Sequence, residues 1–193
     1  SGGYWTTDSN GNVTAYTDDG TTPSNNYIHY NKETNTLTLN NATIKKGLDP
    51  NESIQGGTYI LGSAIGVFNQ NGAAELTITL DGTNTIEDVS TGIFVLAHSS
   101  STGDASLTIT GDGSLDASGS VNAGIWVQSN GGNATLSIEN AEVTTTSSSS
   151  DGVLVQAKDG SNASLTVNGG SLTATGSGNY GAGIRYTFGG SIS

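Results

Sequence analysis

One short pattern returns five times along this chain, and that periodicity limits the fold more than any other property. Leu37-Thr38-Leu39, Leu76-Thr77-Ile78, Leu107-Thr108-Ile109, Leu136-Ser137-Ile138 and Leu165-Thr166-Val167 share it, with successive leucines 39, 31, 29 and 29 residues apart. A second pattern follows each copy: Ala64-Ile65-Gly66-Val67, Gly92-Ile93-Phe94-Val95, Gly124-Ile125-Trp126-Val127, Gly152-Val153-Leu154-Val155 and Gly183-Ile184-Arg185-Tyr186. A weaker apolar point lies between the two, at Ile44, Ile86, Leu115, Val143 and Leu172. The first and last segments alternate with period two, Leu and Ile to one side and Thr or a variable residue to the other, as strands do. Gly, Asn, Asp and Ser cluster between segments and mark turns.

Three short strands per repeat, with no helical periodicity, leave few architectures. A propeller blade needs four strands over about 40–45 residues, and a leucine-rich repeat needs its own ladder of leucines and asparagine. The spacing predicts an all-β fold: a single-stranded, right-handed parallel β-helix of about five coils with three short strands per coil. Coils stack about 4.8 Å apart and pair equivalent strands in parallel; right-handed winding is the preferred chirality of such connections. Leu76, Leu107, Leu136 and Leu165 then form one internal file, and Ile93, Ile125 and Val153 another. Ala74, Ala105, Ala134 and Ala163, each two residues before its Leu, line an inner corner. Open ends of such a stack need caps. Residues 1–36 read as an N-terminal cap with a hairpin (Tyr27–Tyr30 against Thr36–Leu39), and 37–193 as the β-helix, one continuous domain with it. Tyr4 and Trp5 are placed over the first coil's interior.

Composition removes several functions. Net charge is −12, and the five cations (Lys32, Lys45, Lys46, Lys158 and Arg185) form no cluster, so a phosphate backbone or an anionic membrane is repelled. Calcium is the ion such a chain attracts. Without cysteine there is neither a disulfide framework nor a thiolate metal site. No apolar run is long enough to span a membrane. The opening SGGYW has no initiating Met or signal peptide, and strand-like sequence resumes at Gly190–Ser193. A removed targeting segment and a continuing chain are the expectation.

The run Tyr30-Asn31-Lys32-Glu33-Thr34-Asn35-Thr36-Leu37-Thr38-Leu39-Asn40-Asn41-Ala42, followed by repeated Leu-Thr-Ile and Gly-Ile-x-Val strands, resembles bacterial carbohydrate-binding β-helix proteins of the pectate-lyase-like superfamily. The resemblance covers about residues 27–193 and rests on structural repeats. It implies polysaccharide binding on a secreted or wall-attached bacterial protein, with calcium in some members, and carries over no ligand motif.

The residues point away from catalysis. A lyase needs a basic proton acceptor beside calcium-binding acids, yet the single Arg, Arg185, stands near the chain's end without evident partners. Paired carboxylates for glycoside hydrolysis are missing from the strands. His29 and His98 are isolated. Between the inward Ile and Val positions lie Gly66, Phe94, Trp126, Leu154 and Arg185, with Phe68, Leu96, Gln128, Gln156 and Thr187 in the next outward column. A flat strip containing Phe94 and Trp126, with Leu154 and Arg185 in the same column and Gln128 and Gln156 at its edge, is the candidate carbohydrate surface; a protein contact and a covering loop explain the same strip equally well.

Asp81 and Asp112 occupy equivalent turns, five residues after Leu76 and Leu107, and are the candidate metal ligands, for calcium. Solvated turn aspartates are the simpler reading of the pair. Asp104, Asn133 and Asn162 are expected to form a hydrogen-bonded ladder between coils, and Lys45 and Glu87 a cross-coil ion pair. The sequons at Asn133 and Asn162 match by chance in so Asn-rich a chain. The expectation is a non-catalytic extracellular binding module for polysaccharide or a surface glycan. A structural stalk or adhesin segment contacting a host or cell-surface protein is the alternative, and a degenerate lyase the third reading.

Overall fold

The computed structural model describes residues 3–17, 21–47, 62–98, 103–158, 161–178 and 180–187, and among these there are strands and no α-helix. The chain opens with β1 (Tyr4–Thr7), β2 (Val13–Tyr16) and β3 (Tyr27–Asn31), which lie antiparallel. From β4 (Thr36–Asn40) onward it winds as a β-solenoid of about four turns with three faces. The first face holds β4, β7 (Ala74–Asp81), β10 (Ala105–Thr110) and the opening halves of β13 (Ala134–Ser147) and β15 (Ala163–Gly176). The second holds β5 (Thr43–Ile44), β8 (Thr83–Ile86), β11 (Ser114–Gly119) and the closing halves of β13 and β15. The third is a separate parallel sheet of β6 (Ser63–Asn69), β9 (Thr91–Ala97), β12 (Ile125–Ser129), β14 (Val153–Lys158) and β16 (Ala182–Thr187).

Alternation decides what fills the interior. Leu76, Leu107, Leu136 and Leu165 pair rung to rung, as do Ile93, Ile125 and Val153. Ile78, Leu107, Ile109, Leu136 and Ile138 are fully buried, each contributing about 1.5–3 kcal/mol relative to an exposed position. Ala74, Ala105, Ala134 and Ala163 line the predicted inner corner and are all buried. The corner between the first two faces is turned by left-handed residues in successive coils, Asn41, Gly82, Gly111, Asn140 and Gly169. Asn140 takes φ 59°, so one 14-residue strand serves two faces. At the corner leading back to the first face, the Asn133 backbone N–H donates to Asp104 Oδ1 (2.8 Å), and that of Asn162 to Asn133 Oδ1 (3.0 Å). This is the expected ladder.

Three registers differ from the spacing-based expectation. Leu37 pairs with Ile78, not Leu76, because the hairpin that ties β4 to β3 slides it two residues along β7. Ile44 and Ile86 pair with each other, but Ile86 then faces Ala117, and Leu115 faces Asn84. In the last coil Val155 pairs with Ile184, so Gly183 rather than Arg185 continues the column of Leu154. The cap boundary at residue 36 also cuts an element, since β4 is both the hairpin's second arm and the solenoid's first rung. Trp5 packs against the core as expected, but Tyr4 points outward and stacks on His29 with ring centroids 4.1 Å apart; adjacent residues on a strand face opposite ways.

Candidate functional site

The outer surface of the third face carries the candidate strip, and its rungs are in register. One column runs Gly66, Phe94, Trp126, Leu154, Gly183; its neighbour runs Phe68, Leu96, Gln128, Gln156, Arg185. The strip is not the open platform expected from sequence. Phe94 is only 4% exposed, and Leu96, Gln128 and Leu154 are buried, while Trp126 and Gln156 are half-buried. The physical reason lies partly in the rings themselves. Phe94 and Trp126 stack at 4.6 Å with planes 23° apart. On neighbouring strands that stacking runs along the column, so each ring covers its neighbour's face, an arrangement aromatic pairs favour. Phe68 and Trp126 pack against the buried pair Phe94 and Leu96.

What remains accessible is a concavity of about 370 Å³ lined by Phe94, Leu96, His98, Trp126, Gln128, Asn130 and Lys158. Its polar groups are partly pre-set. Gln128 Nε2 donates to Asn130 Oδ1 (2.7 Å), which fixes the amide plane and leaves the Gln128 carbonyl oxygen without a partner in that bond. The Trp126 indole N–H is buried and has no acceptor among the described residues. A buried donor left so costs about 1–3 kcal/mol. Apolar walls with a few fixed polar groups are what small-ligand sites are made of.

Arg185 does not join this concavity. Its Nη2 donates to Asp151 Oδ2 at 2.7 Å, and its guanidinium lies 5.9 Å from the Tyr180 ring centroid. The fully buried Asp151 carboxylate also accepts the Tyr180 backbone N–H (2.8 Å). Arg185 is thus a clasp on the last coil: the expected column of Phe94, Trp126 and Leu154 continues to Gly183, and Arg185 stands instead beside Gln156, engaged with Asp151.

Asp81 and Asp112 do lie at equivalent turn positions, both on the exposed side of the coil. The Asp81 carboxylate, however, accepts a 2.6 Å hydrogen bond from Asn40 Nδ2. Among the described residues no group of three or more His, Asp or Glu side chains converges as a metal would need. Lys45 and Glu87 form the expected pair, at 2.8 Å; Glu87 chiefly, by hydrogen bond and charge, holds the Lys45 ammonium above its ordinary pKa.

Sequence reasoning missed the polar interior. Asn84 is fully buried, accepts the Ala42 N–H (2.9 Å) and donates towards the carbonyls of Asp81, Gly82 and Ser114. Thr145 is fully buried as well. The signal for both was available as period-two parity: each stands two residues from an apolar inward position on its own strand. No protein-family model, curated protein or solved structure matches the chain.

Proposed function

We propose that this chain is a non-catalytic, extracellular binding module for polysaccharide, within a secreted or wall-attached bacterial protein. The observation that carries the reading is the Trp126 concavity, where a half-buried indole meets the hydrogen-bonded amides of Gln128 and Asn130. A sugar edge presents hydroxyl oxygens and C–H faces together. The exposed part of the indole packs on a sugar C–H face, the Gln128 carbonyl accepts a hydroxyl hydrogen, and Lys158 offers a charged donor at the rim. The repeat's resemblance to carbohydrate-binding β-helices points the same way. Phe94, Leu96, Trp126, Gln128 and Lys158 stand on strands, with His98 and Asn130 just past strand ends, and such rigid placement lowers the ordering cost of binding.

Glycan-array screening, then affinity electrophoresis in plant and mucin polysaccharides, tests the reading. Retardation in at least one polymer is expected, and Trp126→Ala is expected to weaken it by about tenfold or more, the loss of a central aromatic anchor. Binding that survives Trp126→Ala and Gln128→Ala unchanged sinks this site, and the absence of any glycan binding sinks the function.

A further inference from the structure

The third face differs from the rest of the molecule in charge. The chain holds 17 Asp and Glu, yet its strands β6, β9, β12, β14 and β16 hold none. Two of the five cations, Lys158 and Arg185, stand there instead. Arg185 is engaged with Asp151. Lys158 forms no ion pair among the described residues, and Asp159, next in the chain, lies outside them. Register brings further polar groups to the same spot. Ser129 pairs with Ala97 on one side and Ala157 on the other, so the next residues on these rungs, His98, Asn130 and Lys158, form one outward column. All three line the Trp126 concavity, and no described Asp or Glu lines it.

We propose, resting on the polysaccharide reading, that this concavity selects a glycan carrying one isolated acidic sugar. The anionic group of that sugar, a carboxylate or a sulfate, takes the Lys158 ammonium while the Trp126 ring packs on the neutral sugar beside it. A hydrogen bond from an ammonium to an anionic oxygen is about twice as strong as a neutral one, and no carboxylate on the strands of this face competes for it. Lys158 is half-buried, and partly buried charges are screened less than exposed ones. Net charge sets how many acidic groups the ligand carries. At −12 the molecule repels a polymer charged at every sugar, and that repulsion adds along the polymer's length. A single anionic group on an otherwise neutral chain meets the field of Lys158 at close range and adds little repulsion elsewhere.

Titration calorimetry at low and at high salt compares lactose with sialyllactose and sulfolactose, and xylotriose with its glucuronyl derivative. In at least one set the acidic member is expected to bind about tenfold more tightly than its neutral counterpart, by a margin that shrinks as salt rises. The two lactose derivatives separate carboxylate from sulfate. Polygalacturonate, acidic at every sugar, is expected to bind more weakly than the singly acidic ligand. Lys158→Gln is expected to remove most of the margin and Lys158→Arg to keep it, while Lys32→Gln, at an exposed position in the β3–β4 hairpin, leaves it in place. Circular dichroism checks that the variants fold. Acidic and neutral members bound alike, as they would be were Lys158 already neutralised by a neighbour, overturn the acidic selectivity and leave the polysaccharide reading standing. A margin that survives Lys158→Gln, or tighter binding of polygalacturonate, does the same. Absence of binding to all of these sugars overturns the selectivity, and absence from the whole glycan array overturns both.

Discussion

Asn84 faces Leu115 of the next coil from inside the solenoid, its amide caged between the Ala42 N–H and the carbonyls of Asp81, Gly82 and Ser114. A polar side chain in an apolar stack persists only because each of its groups is answered. Here it stitches three consecutive coils at the corner between the first and second faces. Asn84→Ala strands the buried Ala42 donor and is expected to cost about 1–3 kcal/mol, read as a lower urea midpoint. Asn84→Leu restores volume but not the bond, and should recover little of that loss.

Gly124 sits where a side chain has no room. A Cβ there would lie 2.7 Å from the Ala117 carbonyl oxygen and 3.0 Å from that of Gly152. Gly124→Ala should therefore destabilise the fold by about 1–3 kcal/mol through overpacking. Gly72→Ala is the control, since its Cβ would meet only the Asn69 side chain at 3.4 Å; its melting temperature should stay at that of the parent.

The Arg185–Asp151 clasp joins the last coil to the one before it. Arg185→Gln leaves a fully buried carboxylate with the Tyr180 N–H as its remaining hydrogen bond. Removing one partner of a buried pair harms more than removing both. Hydrogen exchange should quicken in β16 and not in β10, and adding Asp151→Asn should restore part of the protection. Equal exchange in the parent and Arg185→Gln would show that the clasp is ornamental.

Tyr27 provides a pH marker on the cap. Burial chiefly, then the Asp81 carboxylate and Tyr4, holds its phenol above the ordinary value of 10.0. The folded chain favours the neutral phenol, and the unfolded chain loses that proton first. Tyr27's contribution to stability is therefore complete below about pH 10 and fades as pH rises through the folded value. Tyrosinate absorbance of the parent minus that of Tyr27→Phe should titrate above the ordinary value, and Asp81→Asn should draw it down.

The strip around Trp126 marks where legibility ended. Period-two alternation placed Phe94, Trp126 and Leu154 outward in one column, and the pairing agrees. Whether outward meant exposed depended on ring stacking between strands that are distant in sequence, and on how neighbouring side chains close over them. The displacement of Arg185 by two residues had a similar origin. Gly181 and Gly183 both precede a β-branched or small residue, and only pairing with β14 chose between them.

By itself the sequence determined the rung: a repeat near 30 residues, three apolar stretches within it, and the side each residue faces. Those follow from local backbone geometry, since a strand alternates its side chains whatever lies beside it. The tertiary structure alone decided the register of the first and last coils, the buried partners of Asn84 and Asp151, and the closing of the aromatic strip. Each of these is set by atoms about 30 to 40 residues away along the chain and one rung away in space, where pairing and packing energies between coils outweigh any local preference.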